Sequence, residues 1–303
     1  MKKEIRSRIR RAIDEGVFSQ CVVGVLKGPP ADGERFVLPF GGVKEDAIFD
    51  VASVTKVVPT ALLANHLVRE GKLSLSDQVV LYIPELKNQY KDDVLVQHLL
   101  DHTVGYGPGF RLSAHKDKSA EEIFQAVYSA PLIYRPGEKF FYTNTASVLL
   151  GLVVERVFRK RLDEFAQEIL FGPLGMNRTT FHPLEKFQKE EVVPTEKDAW
   201  RGRELRGEVH DESAWKLQQE GYVPGSAGLF STVSDLLNVL EMFLQKKEES
   251  FMKTGFTGCS IHLDKEKGMG LVILSNYTYP HRKKDSVLIN EVRRDIADIV
   301  FQY

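Results

Sequence analysis

The sequence predicts an α/β (α+β) sandwich in which one antiparallel sheet is assembled from both chain ends, covered by terminal helices and interrupted by a long helical insertion. Three observations carry this. β-rich runs joined by turn residues lie at 21–40 and again at 259–275, both termini show apolar residues at helical spacing, and residues 77–206 mix short helices with turn clusters. The expected division is therefore 1–76 with 207–303 as the sheet domain and 77–206 as an inserted helical or lid subdomain.

Each element follows from local chemistry. Met1 to Gly16 places Ile5, Ile9 and Ile13 at helical spacing among basic residues, as in an amphipathic packing helix. It lacks the continuous apolar stretch of a signal peptide, so a cytoplasmic location is the expectation. Cys21 to Leu26 and Arg35 to Phe40 flank the turn-forming residues 28–33 and predict a hairpin. From Lys56 the pattern turns helical through Leu62, Leu63, His66 and Leu67, ending at the C-cap candidate Gly71, with Pro59 near the start. The insertion carries turn clusters at Pro84, 105–109, Pro136-Gly137 and Pro183, and one long helix over 147–161. Thr232 and Ser234-Asp235 offer cap chemistry for a helix running to about Lys246. Cys259 to Leu263 and Gly268 to Ser275 predict a second hairpin, and 286–303 a closing helix through Leu288, Ile289, Val292, Ile296 and Ile299. In such an arrangement the two termini lie close together.

Composition excludes several function classes. Lys plus Arg at 41 against Asp plus Glu at 42 gives a net charge of -1, so no global positive field is present to hold a nucleic acid. No segment reaches the roughly 18 uninterrupted apolar residues of a spanning helix, and no membrane partner is expected. Cys21 and Cys259 sit in apolar, strand-like stretches and read as buried thiols.

Three segments bear chemistry. Ser53-Val54-Thr55-Lys56 sets a hydroxyl and an amine at i and i+3 where a helix begins, over the same turn and with apolar neighbours. A serine hydroxyl needs a neighbour to take its proton, and a partly desolvated lysine can do so. Taken alone the pattern is common, and an N-cap with an exposed lysine is its ordinary meaning. Tyr142-Thr143-Asn144, in a loop entering a helix, can project a phenol and an amide together into a cleft. Lys253-Thr254-Gly255-Phe256-Thr257-Gly258 opens the second hairpin with glycines that let a substrate backbone approach a strand edge. In this chain order the three form a signature.

These motifs resemble those of the penicillin-recognising serine hydrolases, and are most similar to class C β-lactamases and their related (family VIII) esterases. The resemblance extends through Phe49 to Ser53, Gly71 to Leu75, Leu99 to Thr103, Gly172 to Met176, Val209 to Asp211 and Ala227 to Ser231, covering about residues 20–300. It implies a five-stranded antiparallel sheet with helices on both faces beside a largely helical region. It further implies that Ser53 is acylated, that Lys56 and Tyr142 share the proton traffic, and that Asn144 hydrogen-bonds the substrate's acyl side chain. Lys253 and Thr254 would face a substrate carboxylate or leaving group, with Gly255 a substrate-binding residue of the same motif, and the backbone N–H groups of Ser53 and Phe256 would form the oxyanion hole. No metal or cofactor is implied. Tyr-x-Asn in the second motif disfavours a class A mechanism with a separate glutamate.

The sequence also departs from that pattern. Only a few residues separate the helix ending near Lys246 from Lys253, where the family usually has a much longer segment, so one wall of the cleft is expected to be open. Asp101 replaces a small polar residue, and Ser226 stands where a histidine is frequent.

Other constellations are weaker. Adjacent His210-Asp211 side chains diverge, so they make a poor Ser/His/Asp triad. His98 and His102 lack the intervening Glu and third ligand of a metal site. No Gly-x-Ser-x-Gly elbow occurs, and residues 200–203 and 281–284 read as solvated basic loops. The expectation is a serine hydrolase acting on a small-molecule ester, β-lactam or acyl-peptide, foremost a carboxylesterase or broad acyl hydrolase. A β-lactamase or D-amino-acid peptidase is the alternative, and a non-turnover scaffold or ligand sensor the second.

Overall fold

The computed structural model describes residues 1–28, 33–86, 92–106, 110–246 and 248–302. The chain forms two compact units: one of residues 1–54, 171–210 and 229–303, the other of residues 55–170 and 211–228.

The first unit is built on a five-stranded antiparallel sheet. In chain order its strands are β1 (Cys21–Lys27), β2 (Glu34–Phe40), β3 (Phe251–Thr254), β4 (Ser260–Asp264) and β5 (Met269–Ser275). Their spatial order is β2-β1-β5-β4-β3, so β1 pairs with β5 and joins the two ends of the chain. The register Cys21↔Phe40 confirms the first hairpin, although the tip of its expected turn, 29–32, lies outside the described residues.

Alternation along the central strands loads both sheet faces. Cys21, Val23 and Val25 of β1 and Met269, Leu271 and Ile273 of β5 share one cluster with Ile5 and Ile9 of helix α1 (Lys2–Asp14) and with Ile289, Val292 and Ile296 of the C-terminal helix Val287–Phe301. The two terminal helices pack together, tied by Arg8 to Asp295 at 2.6 Å. The opposite face receives the helix Val233–Gln245, whose Thr232 side chain accepts from Asp235 N as the N-cap. Gly24 is required there, because a Cβ would fall 2.2 Å from Val233 Cγ1 and 2.9 Å from Leu237 Cδ1.

Cys21 and Cys259 are both buried free thiols, and burial pushes each thiol pKa up. The strand β3 was not separable by sequence reading. It is four residues long, lies at the sheet edge, and has Met252 exposed.

In the second unit the long helix Asn144–Phe158 begins three residues before the position expected from sequence, with Thr143 as its N-cap. It packs on the helices Leu62–Arg69 and Val96–Leu100. Where the pattern suggested a helix from Lys56, the α-helix starts only at Leu62. Residue 58, which precedes Pro59, is held extended (φ -111, ψ 105), as expected for a residue before proline. The turn cluster at 105–109 lies partly outside the described residues. Among the described residues no helix is long and apolar enough to cross a membrane.

Candidate active site

In the first unit, the segment carrying Ser53 is fixed by Asp50. This carboxylate is buried, with Oδ1 accepting from Ala52 N at 2.8 Å and Oδ2 from His210 N at 2.7 Å. Ala52 adopts φ 47, a left-handed backbone that costs a non-glycine residue about 1–3 kcal/mol and persists where the surroundings dictate it. The β3–β4 turn supplies part of those surroundings. Thr257 Oγ1 donates to Asp50 O at 2.8 Å, and a Cβ on Gly255 would lie 2.5 Å from Val51 O. The glycine of the third motif is thus needed for close approach to the backbone at Val51, just before Ser53. From the C-terminal helix, the buried Arg293 donates to Gly255 O and Cys259 O, each at 2.8 Å, and clamps the turn.

Lys253, Thr254 and Phe256 lie on this same turn and its strand. Burial pushes the Lys253 amine down to about 8, so it titrates close to neutrality. The exposed Phe256 ring stacks on His210, with centroids 5.7 Å apart, and the Arg282 guanidinium lies 5.5 Å from its centroid. His210 is buried with Nε2 2.7 Å from Glu196 Oε2, and Arg282 also binds Glu196, whose carboxyl is held down at about 2 despite partial burial. This histidine therefore supports structure. The two basic clusters are not freely solvated: the Arg201 side chain is buried and donates to Val209 O and His210 O, and Arg282 is engaged as described.

Residues 52–56 form a single 3₁₀ turn rather than the start of an α-helix.

In the second unit Lys56 is buried at 4% exposure, with Nζ 2.9 Å from Asn144 Oδ1 and 2.7 Å from Ser226 O. The Tyr142 ring centroid lies 5.3 Å from the same Nζ. The Ser226 carbonyl is delivered by a tight crossing over the long helix. A Cβ on Gly225 would lie 2.4 Å from Ser147 O, and Thr60 Oγ1 bonds Gly225 O at 2.8 Å. Asn144 is oriented from its other side, donating through Nδ2 to Asp211 Oδ2 at 2.9 Å. Asp211 Oδ1 in turn accepts from Ser213 Oγ and caps the helix Glu212–Gln219 through Ala214 N. His102, at φ 54, packs its ring 4.8 Å from that of Tyr142.

Lys56, Tyr142 and Asn144 are thus gathered within one unit, while Ser53, Lys253, Thr254, Gly255 and Phe256 are carried by the other. Sequence reasoning missed Asp50, Asp211, Arg293 and the Ser226 carbonyl as supports. Asp50 sits three residues before Ser53 and Asp211 precedes a helix, but neither position announces a tertiary partner. His98 lies on the short helix Val96–Leu100 and His102 beyond its end. Among the described residues no group of three or more His, Cys, Asp or Glu is placed to hold a metal ion.

The Asp211 side chain yields a stability test. Asp211→Ala removes an N-cap, expected to cost about 0.5–2 kcal/mol, and frees the Asn144 amide to turn. Urea unfolding should show a reduced midpoint; an unchanged one would mean the cap carries no load.

The family model described as Beta-lactamase matches residues 9–250, ending just before Lys253. An N-acetylmuramyl-L-alanine amidase of Bacillus subtilis (strain 168) is 31% identical over 228 residues, which are 67% of this chain and 51% of that protein. The chain spans about half the length of the curated relatives it matches. A β-lactamase/D-alanine carboxypeptidase from Pseudomonas syringae superimposes with a TM-score of 0.77 at 19% identity, covering 100% of this chain and 98% of that one. A class C β-lactamase does so with a TM-score of 0.77 at 18% identity, covering 98% and 97%. With the family model covering most of the chain and the five-stranded sheet and its helices shared with these structures, the protein belongs to the β-lactamase family.

Proposed function

We propose that this protein is a serine hydrolase that works through an acyl-enzyme on Ser53. The observation that carries the reading is the buried Lys56 amine, held between Asn144 Oδ1 and Ser226 O beside the Tyr142 ring, three residues along the chain from a hydroxyl in the family's motif order. Ser53 Oγ attacks the substrate carbonyl carbon, and its proton passes to the Lys56 and Tyr142 pair. The backbone N–H groups of Ser53 and Phe256 receive the developing oxyanion. The carbonyl-to-leaving-group bond then breaks, the leaving group takes the proton, and water, deprotonated by the same pair, releases the acid and restores Ser53. Either member of the pair can act as the base.

Substrates are acyl esters or amides with a carboxylate near the scissile bond, a group that would include β-lactams and acyl-D-amino-acid peptides. Lys253 is the cation that would bind this anion, with Thr254 and Gly255 beside it. A plain carboxylesterase is the second reading, favoured by the short link between the helix ending at Gln245 and β3, which leaves little chain to build a cleft wall.

Two measurements separate these readings. Because Lys253 titrates near 8, its ammonium is largely present at pH 7 and largely lost by pH 9. The ratio of kcat/KM for anionic over neutral substrates should therefore fall across that interval. Lys253→Ala should lower kcat/KM for anionic substrates by about 1.5–3 kcal/mol, the range of a hydrogen bond to a charged group, and barely affect neutral short-chain esters. Equal losses on both series, with a flat ratio against pH, would leave the plain esterase.

A further inference from the structure

In the first unit Arg293 is buried, and the hydrogen-bond partners of its guanidinium are neutral oxygens. Nη1 donates to Asn290 Oδ1 at 2.9 Å, and Nη2 donates to Gly255 O and Cys259 O at 2.8 Å each. Its Nε is buried without an acceptor, and among the described residues no carboxylate pairs with it. Burial pushes the guanidinium down to about 10, which leaves it charged at neutral pH. His262, buried on β4, adds no charge there, since burial and the Arg293 cation push its imidazole down to about 4.

A buried cation without a counter-ion is costly, and two backbone carbonyls alone do not require one, because a neutral amide donor could hold them. The place of the charge gives it a use. The Gly255–Phe256 peptide is trans, so its C=O and N–H point in opposite directions. Gly255 O is turned to Arg293, with Gly258 N reaching the same oxygen at 3.2 Å, so the Phe256 N–H faces away from the guanidinium. That N–H has no acceptor among the described residues. A cation at the carbonyl end draws electron density from the amide nitrogen and strengthens the N–H as a donor, as linked hydrogen bonds polarise one another.

We propose that Arg293 is a positioning residue for the oxyanion hole: it fixes the Gly255–Phe256 peptide with its N–H turned outward and, through that peptide, brings its charge to bear on the oxyanion formed at Ser53. The inference rests on the Ser53 reading and concerns residues of the first unit alone. Arg293 exchanges no proton and touches no reacting atom.

The test compares Arg293→Gln, which keeps an amide donor and loses the charge, with Arg293→Lys, which keeps the charge. Arg293→Gln should lower kcat/KM about tenfold on neutral and anionic esters alike, less than the roughly 10²–10³-fold that loss of an oxyanion donor itself costs. Phenylboronic acid, which becomes a tetrahedral anion on a serine, should bind more weakly by a similar factor. Arg293→Lys should recover most of both losses. One arm needs no turnover: with isotope-labelled phenylalanine, the Phe256 amide resonance, assigned by its loss from Phe256→Leu, should move upfield or broaden in Arg293→Gln and stay near its wild-type position in Arg293→Lys. If Arg293→Gln does not fold, Asn290→Ala, which removes the acceptor of Nη1 and keeps the charge, should give a smaller loss with the same indifference to substrate charge. If no ester acylates Ser53, the hydrolase reading fails, and the amide resonance still decides whether Arg293 orients this peptide. An unmoved Phe256 resonance, equal losses in the Gln and Lys variants, or a loss confined to anionic substrates, as direct capture of a substrate carboxylate by Arg293 would give, overturns the proposal.

Discussion

Ser53→Ala should lower turnover of every accepted ester or amide by about 10⁴-fold or more, the scale on which loss of a nucleophile from a coupled catalytic unit acts. The fold should survive this change. Ser53 is partly exposed, and the elements that fix its segment, Asp50 to Ala52 N and Thr257 to Asp50 O, do not use its side chain. The mutant should keep the wild-type urea midpoint, accept no acyl group in the presence of activated esters, and still bind substrates reversibly. Substantial residual turnover, sensitive to the same inhibitors as the wild type, would mean that another nucleophile performs the reaction.

Lys56→Ala is expected to have the next largest effect, about 10²–10⁴-fold in kcat/KM, the range associated with loss of a positioned general acid or base. It should also destabilise the protein. Lys56 is buried, and its removal strips the donor from Asn144 Oδ1 and Ser226 O, each costing about 1–3 kcal/mol if left unsatisfied. The pH profile separates catalysis from folding. Wild-type activity should rise from acid into neutral or alkaline pH, because one member of the Lys56 and Tyr142 pair must be deprotonated to accept the serine proton. The ascending limb should move or vanish in Lys56→Ala and in Tyr142→Phe, and the two profiles together belong to the pair rather than to one residue. A limb unchanged in both variants would place the base elsewhere.

The elements that sequence made legible are those whose signals are local. The pattern of Ile5 and Ile9 with Ile289, Val292 and Ile296 defines helix faces, and the continuous apolar run Val22, Val23, Gly24 and Val25 defines a strand with two buried faces. Thr232 announces the start of its helix because capping involves residues three apart. By contrast, the 3₁₀ turn at Ala52–Lys56 and the start of the helix only at Leu62, beyond the extended residue that precedes Pro59, do not follow from a helical hydrophobic pattern.

The same division holds at the site. Ser53, Lys56, Tyr142 and Asn144 could be named because their residue types and spacings carry chemistry. Asp211 and Arg293 could not, since each acts on a partner distant in sequence: Asp211 on Asn144, and Arg293 on Gly255 and Cys259. His210 shows the converse. Its neighbour Asp211 suggested a catalytic pair, yet His210 bonds Glu196 while Asp211 bonds Asn144.

Covalent labelling addresses the central claim most directly. The protein would be exposed in parallel to a fluorophosphonate, a p-nitrophenyl ester and a penicillin, and its intact mass and the peptide spanning Ser53 then measured. The account predicts a single stoichiometric fluorophosphonate adduct on Ser53, absent from Ser53→Ala, with acyl adducts from the other two probes wherever deacylation is slow enough to trap them. An adduct on any other residue, retained labelling in Ser53→Ala, or no adduct from any probe on folded protein would contradict it.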